Sequence, residues 1–165
     1  TIQNERMNLD YLTSAYNRKG LETYIRQKIN ASTEHKTFAA ILLDLDNFKS
    51  INDLYGHETG DYALKAVSDA IIKNIRFQKD WAARYGGDEF LVFLNNTDEE
   101  QAEVIARRIQ EDVSQIPVNP EEESLHLSIS FGIGTMNNEP MTVTELIRQA
   151  DEKMYQSKKE KNSRM

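Results

Sequence analysis

Two short acidic clusters carry the chemistry this sequence can offer. Asp44 and Asp46 follow the apolar run 38–43, and Asp88 and Glu89 follow the pair Gly86 and Gly87. An apolar run that stops abruptly in acids reads as a buried strand ending at a sheet rim. The glycine pair, between segments 81–85 and 89–94, reads as a tight hairpin whose glycines take positive φ angles. If the strands are neighbours, Asp44, Asp88 and Glu89 converge on one rim. Convergent hard oxygens suit Mg²⁺, above all where substrate phosphates complete its coordination, and the carbonyl of Leu45 could add a ligand. The same acids read equally as a strand end and a turn filler, both solvated, because acids are common in turns. Two other sites are excluded. Asp44, Leu45 and Asp46 begin like a calcium loop, but Phe48 stands at the next ligand position and the loop glycine is missing. No Gly-Lys-Ser/Thr phosphate loop occurs.

These residues need elements to hold them. Asn17 can cap a helix whose apolar stripe is Leu21, Tyr24, Ile25 and Ile29. Segment 37–43 is a strand, and Asp61 opens a second helix carrying Leu64, Val67, Ile71 and Ile75. Thr97 with Glu100 reads as a capping box for a third helix, through Ala102, Ile105, Ile109, Val113 and Ile116. Segment 117–123 reads as a loop. Leu125, Leu127, Ile129, Phe131 and Ile133 then alternate with His126, Ser128, Ser130 and Gly132, the period of a half-buried strand. Thr142 and Glu145 form another capping box before Val143, Leu146, Ile147, Ala150 and Met154. From Lys158 the lysine-rich tail lacks a pattern and is expected to fray. The resulting order is helix, strand, helix, strand, strand, helix, strand, helix. It predicts an α+β domain: one mixed sheet flanked by helices, in the manner of ferredoxin-like folds.

Composition narrows the function. The 165 residues carry 20 Lys and Arg against 27 Asp and Glu, a net charge of −7. That argues against a general nucleic-acid binder, whose affinity rests on clustered cations. It leaves room for a nucleotide site, where a metal ion and a few local cations neutralise the phosphates. Without cysteine, disulfides and thiolate metal sites are excluded. The longest apolar run, 38–43, is far short of a membrane span, so no membrane contact is expected of this domain. Nothing at the N-terminus resembles a signal peptide, and Thr1 in place of Met reads as the start of an excised piece.

Gly86, Gly87, Asp88, Glu89 and Phe90 spell the signature of the GGDEF, or diguanylate cyclase, family, preceded by Arg84 and Tyr85 as is usual there. The resemblance runs further. Asp10, Tyr11, Leu12 and Thr13, then Asn17 and Arg18, resemble the opening segment, with Ser14 and Ala15 replacing Gly-Leu. The run from Asp44 through Asn47, Phe48 and Lys49 continues into Ile51, Asn52, Asp53, Gly56, His57, Gly60 and Asp61 at family spacing. Segment 128–134 and Ala150, Asp151, Tyr155 and Lys158 resemble the closing segments.

The resemblance implies a nucleotide-cyclase palm-like fold over residues 10–160, with 1–9 the end of an N-terminal linker helix and 161–165 a frayed tail. It implies that two protomers, each holding one GTP, join them into cyclic di-GMP with release of pyrophosphate. Mg²⁺ or Mn²⁺, two per site, would be held by Asp44, the Leu45 carbonyl and Asp88, with Glu89 a further ligand. Asp88 would also take the proton of the attacking 3′-hydroxyl, and Lys49 would contact phosphate in the transition state. Phe48, His57 and Lys158 would contact substrate, and Asn52 with Asp61 would read guanine. One carboxylate can accept from guanine's N1–H and 2-amino groups together, whereas adenine N1 would meet it with a lone pair. Asp61 also reads as a plain helix cap, His57 as a structural histidine and Lys49 as an exposed lysine after a strand.

Two departures stand out. The closing segment lacks the usual Gly and Arg, and Lys161 substitutes for the arginine if one residue is deleted. The Arg-x-x-Asp product-binding motif keeps Asp80, but Phe77 stands where its arginine belongs and Arg76 is one position early. A fused N-terminal sensory or regulatory domain and a bacterial cytoplasmic location are implied, including as the cytoplasmic end of a membrane-anchored sensor. The alternatives are a catalytically silent GGDEF domain serving as a GTP-binding or regulatory module, and a generic palm-like nucleotidyltransferase acting on one nucleotide.

Overall fold

In a computed structural model, residues 9–31, 36–139 and 141–163 are described. The expected linker helix over 1–9 lies, apart from Leu9, outside them; Leu9 makes an antiparallel bridge to Tyr16. The elements are β1 (Tyr16–Asn17), α1 (Arg18–Asn30), β2 (Thr37–Leu45), α2 (Phe48–Tyr55), α3 (His57–Asn74) and β3 (Asp80–Arg84). They continue with β4 (Glu89–Asn95), α4 (Glu99–Ser114), β5 (Pro117–Asn119), β6 (Glu122–His126), β7 (Ile129–Asn137) and α5 (Val143–Ser163).

The main sheet has the order β1-β3-β4-β2-β7. It is mixed: β1 runs parallel to β3, and every other pairing is antiparallel. Without β1, the chain reads strand, helices, strand, strand, helix, strand around β2, β3, β4 and β7, the ferredoxin-like core the sequence predicts. Each face is buried. Ile41, Leu43, Phe90 and Val92 face α3 and α4, while Ala40, Leu42, Leu91 and Phe93 face α1 and α5. Burial on both faces is why β2 reads as one apolar run.

Several local expectations need correction. Asn17 does cap α1, accepting from Gly20 N at 2.7 Å. Asp61 does not open a helix: α3 begins at His57, and α2 precedes it, separated by Gly56 at φ 92. The short α2 buries only Ile51, so its apolar stripe is too sparse to read from sequence. The capping box of α4 is Asp98 with Gln101, one residue later than the expected Thr97 and Glu100. Segment 117–123 is no loop, because β5 and β6 pair there as a hairpin. The alternating run therefore breaks at Leu127, whose amide donates to Ile116 O at 2.8 Å, and β7 starts afresh at Ile129.

Nor is β7 half-buried, since α5 covers its second face. Gly132 allows that approach: a Cβ there would overlap the Ala150 carbonyl oxygen and the Met154 amide nitrogen. Gly86 and Gly87 are not in the positive-φ region. Their connection spans residues 85–88, too long to need the mirror-image turn that demands it. Finally, the expected fraying from Lys158 does not occur; α5 continues to Ser163. Contacts at the far end of that helix explain why.

Candidate active site

The rim at the C-terminal end of β2 gathers both acidic clusters. Asp44 pairs with Glu89 across β2 and β4, and with Ser130 across β2 and β7. Leu45 N donates to the Asp88 carbonyl at 3.1 Å. The expected neighbourhood of these strands therefore holds, at the centre of the sheet where register is fixed by two partners. Arg84 braces the signature turn by donating to the Gly87 carbonyl at 2.8 Å, and it pairs with Asp10 at 3.5 Å. On the other side, Tyr85 Oη donates to Glu22 at 2.6 Å and lies under the Arg18 guanidinium, 4.0 Å from its ring centre. Burial and the hydrogen bond to Glu22 push the Tyr85 hydroxyl up to about 12.

The electrostatics separate the acids. Asp44 is buried, and burial pushes its carboxyl up to about 6; Lys158 pulls down, while the charges of Asp88 and Asp46 push further up. Lys158 donates to Asp44 Oδ2, but Oδ1 is buried with no hydrogen-bond partner. Burial also raises Glu89, aided by Asp88 and Asp151. Asp46 goes the other way: burial raises it, but hydrogen bonds from Lys161, Ser130 and Ser128 outweigh that and hold it below its ordinary value.

Asp44, Asp88 and Glu89 share the rim without forming a ready cage: among the described residues no three His, Cys, Asp or Glu side chains cluster to hold a metal unaided. Lys158 reaches in from α5 and shares the rim's charge with them. The donors still fit a divalent cation. A buried carboxylate oxygen without a partner, in a carboxyl destabilised by like charges, is relieved by a nearby cation, and Mg²⁺ takes its other oxygens from phosphate and water.

The remaining predicted residues lie on α2, α3 and α5. Lys49 and His57 are exposed in the first turns of α2 and α3. Phe48 and Asn52 are half-buried, and a Cβ on Gly60 would overlap Asn52 Oδ1 and come 3.3 Å from Phe48. The bare backbone at Gly60 thus brings Asn52 beside the residue preceding Asp61, whose side chain is exposed in the second turn of α3. Asp80 is no surface group. Its side chain is fully buried and clasped by Arg76, Nε to Oδ2 and NH2 to Oδ1, each at 2.8 Å. Phe77 is 87% exposed. The sequence reading missed Asp46, Ser128 and Ser130 as a network, and Arg84 and Asp10 as its counterpart at the turn. The serines are legible only as strand residues until β7 is set beside β2.

This mixed sheet flanked by helices, with acids at the ends of its central strands, is the nucleotide-cyclase palm-like fold of solved GGDEF domains. The chain belongs to the diguanylate cyclase, GGDEF domain family, whose sequence model matches residues 7–164. It is 38% identical over 138 residues to diguanylate cyclase A of Treponema denticola, covering 83% of this chain and 37% of that protein. It is 34% identical over 166 residues to diguanylate cyclase DosC of Escherichia coli K12, covering 99% of this chain and 36% of that protein. The chain thus spans little over a third of these curated relatives. The GGDEF domain of DgcB from Caulobacter crescentus, solved in complex with c-di-GMP, superposes with TM-score 0.81 at 27% identity, over 91% of this chain and 89% of that one.

Proposed function

We propose that this protein condenses two GTP into cyclic di-GMP and two pyrophosphates, at a site completed by a second protomer. The observation carrying this reading is the buried Asp44 carboxylate, one oxygen unpartnered, beside Asp88 in an intact signature. In each half-reaction a ribose 3′-oxygen bonds to the α-phosphorus of the other GTP, the bond from that phosphorus to the β-bridging oxygen breaks, and pyrophosphate leaves. Mg²⁺ or Mn²⁺, two per site, would be held by Asp44, the Leu45 carbonyl, Asp88 and Glu89. Bound there, it lowers the hydroxyl's pKa and neutralises charge growing on phosphate. Asp88 accepts the hydroxyl proton, and Lys49 and Lys158 stabilise the phosphate charge. Asn52 and Asp61 read guanine, with Phe48 and His57 as further substrate contacts; the close approach of Asn52 to Gly60 supports this reading.

Residues 10–160 would form the catalytic domain, with a sensory or regulatory domain upstream, acting in the bacterial cytoplasm. No helix among the described residues is long and apolar enough to cross a membrane. The test is incubation with GTP and Mg²⁺, followed by chromatography and mass determination. Cyclic di-GMP is expected, with specific activity rising with protein concentration because each protomer supplies one nucleotide. Hydrolysis products alone at high protein concentration would overturn the reading.

Feedback should be weak. Product recognition through Arg-x-x-Asp needs an arginine free to make charge-assisted hydrogen bonds to the product. Here Arg76 is committed to buried Asp80 and also donates to Asn95 O at 2.5 Å and Thr97 Oγ1 at 3.2 Å. Phe77 has nothing to donate. Added cyclic di-GMP is expected to inhibit only by competing with GTP. Initial rates against product at several GTP concentrations check this, and strong inhibition that GTP does not relieve would refute it.

A further inference from the structure

The two carboxylates flanking Leu45 differ in how they are occupied. Asp46 is closed: Oδ1 accepts from Ser130 Oγ at 2.7 Å, and Oδ2 from Ser128 Oγ at 2.7 Å and Lys161 Nζ at 2.9 Å. Asp44 is open, with Lys158 on one oxygen and nothing on the other. The two lysines lie three residues apart on α5, neighbours on one helix face. Lys161 has a second tie, donating to the Ile129 carbonyl at 2.7 Å where β7 begins. Its charge is met by Asp46, and two of its three N–H donors are used. Lys158 makes one hydrogen bond among the described residues and keeps two donors.

A helix end frays unless something holds its last turn. Here the hold is a charged one, to the ends of two sheet strands. We infer that Lys161 and Asp46 are a positioning pair that clamps the last turns of α5, so that the Lys158 ammonium stands over the rim where the triphosphate binds. Lysine is a point charge on a flexible four-carbon stem, so its usefulness to a phosphate depends on how firmly its Cα is placed. Lys161 is not itself a phosphate contact in this arrangement; it acts through Lys158. The inference rests on the reading of this rim as the GTP site.

The experiment is a double-mutant cycle on equilibrium binding of guanosine 5′-(α,β-methylene)triphosphate with Mg²⁺, alongside amide exchange of residues 158–163 without nucleotide. Lys161→Met is expected to weaken binding about fivefold to tenfold and Lys161→Arg to recover most of it, as for directly coupled residues. In a Lys158→Met background, Lys161→Met should change binding less than about twofold. Exchange over 158–163 should quicken in Lys161→Met. Equal losses in both backgrounds would make Lys161 a direct nucleotide contact and overturn the inference, as would no loss in the parent or unaltered exchange. If Lys161→Met does not fold, Asp46→Asn, whose amide oxygen still accepts from one serine and whose amide N–H donates to the hydroxyl oxygen of the other, goes through the same cycle. A parent that binds no analogue while exchange still responds to Lys161→Met would refute the GTP-site reading and leave the clamp standing.

Discussion

Asp88→Asn is expected to lower cyclic di-GMP formation by at least about 10³-fold while leaving the fold intact, the scale set by loss of a positioned general base. On the proposed mechanism it removes both a hard-oxygen charge for the cation and the acceptor for the 3′-hydroxyl proton. The fold should hardly respond. The structural contribution of Asp88 is its backbone carbonyl, which receives Leu45 N at 3.1 Å and survives the substitution. Its charge, by contrast, raises the carboxyl pKa of both Asp44 and Glu89.

A carboxyl whose folded pKa is raised holds its proton more tightly folded than unfolded. Its stabilising effect is therefore full at low pH and is lost as pH rises. For Asp44 that loss runs from roughly pH 4, the ordinary carboxylate value, to about 6. Asp88→Asn removes part of the cause, so the variant should match the parent near the lower limit and exceed it in stability above the upper one. Urea titrations at several pH values, with chromatography of the nucleotide products, check both halves. A variant that keeps near-normal turnover would remove Asp88 from the reaction.

What the sequence revealed here depended on how local the physics was. The rim was legible because β2 and β4 are buried on both faces, which leaves apolar runs that end in acids. Asn17 was legible as a cap because its hydrogen bond to Gly20 spans three residues. By contrast, α2 was illegible: an eight-residue helix burying only Ile51 has no stripe, and it ends at Gly56, whose positive φ of 92 breaks the helix. Asp98 outcompeted Thr97 as the cap because Thr97 is buried, with its hydroxyl bonded to Asn95 O at 2.8 Å. Arg76 looked misplaced by one residue relative to a product-binding motif, but it is the partner of a buried acid, and burial is not written in spacing. The order of Lys158 and Lys161 was hidden for the same reason. A lysine-rich helix end reads as solvated until the carboxylates of a strand more than a hundred residues away are set beneath it.

The largest effect on the fold is expected from Gly132→Ala, a change that adds one methyl group. In sequence Gly132 is one member of an alternating strand, and nothing marks it. In the structure α5 lies so close to β7 that the new Cβ would overlap the Ala150 carbonyl oxygen and the Met154 amide nitrogen, with the Lys153 carbonyl carbon at 2.8 Å. Those are backbone atoms of a helix, which cannot turn aside as a side chain would. The whole helix must lift, opening the packing of Leu146, Ala150 and Met154 on Leu42, Leu91 and Phe93. Overpacking typically costs about 1–3 kcal/mol, and a clash with helix backbone falls at the upper end of that range, a large part of the roughly 5–15 kcal/mol that holds a domain together. For a chain of this size that corresponds to a Tm lower by roughly 6–12 °C. Gly87→Ala is the contrast: its Cβ would meet nothing within 4 Å, and its φ lies outside the left-handed region. Its Tm should move by no more than about 2 °C, as for an ordinary surface change. Calorimetry of the two variants checks the difference, and a Gly132→Ala protein melting with the parent would mean that α5 does not need this close approach. The same lift would carry Lys158 and Lys161 off Asp44 and Asp46, so a glycine that touches no substrate should weaken nucleotide binding as well as the fold.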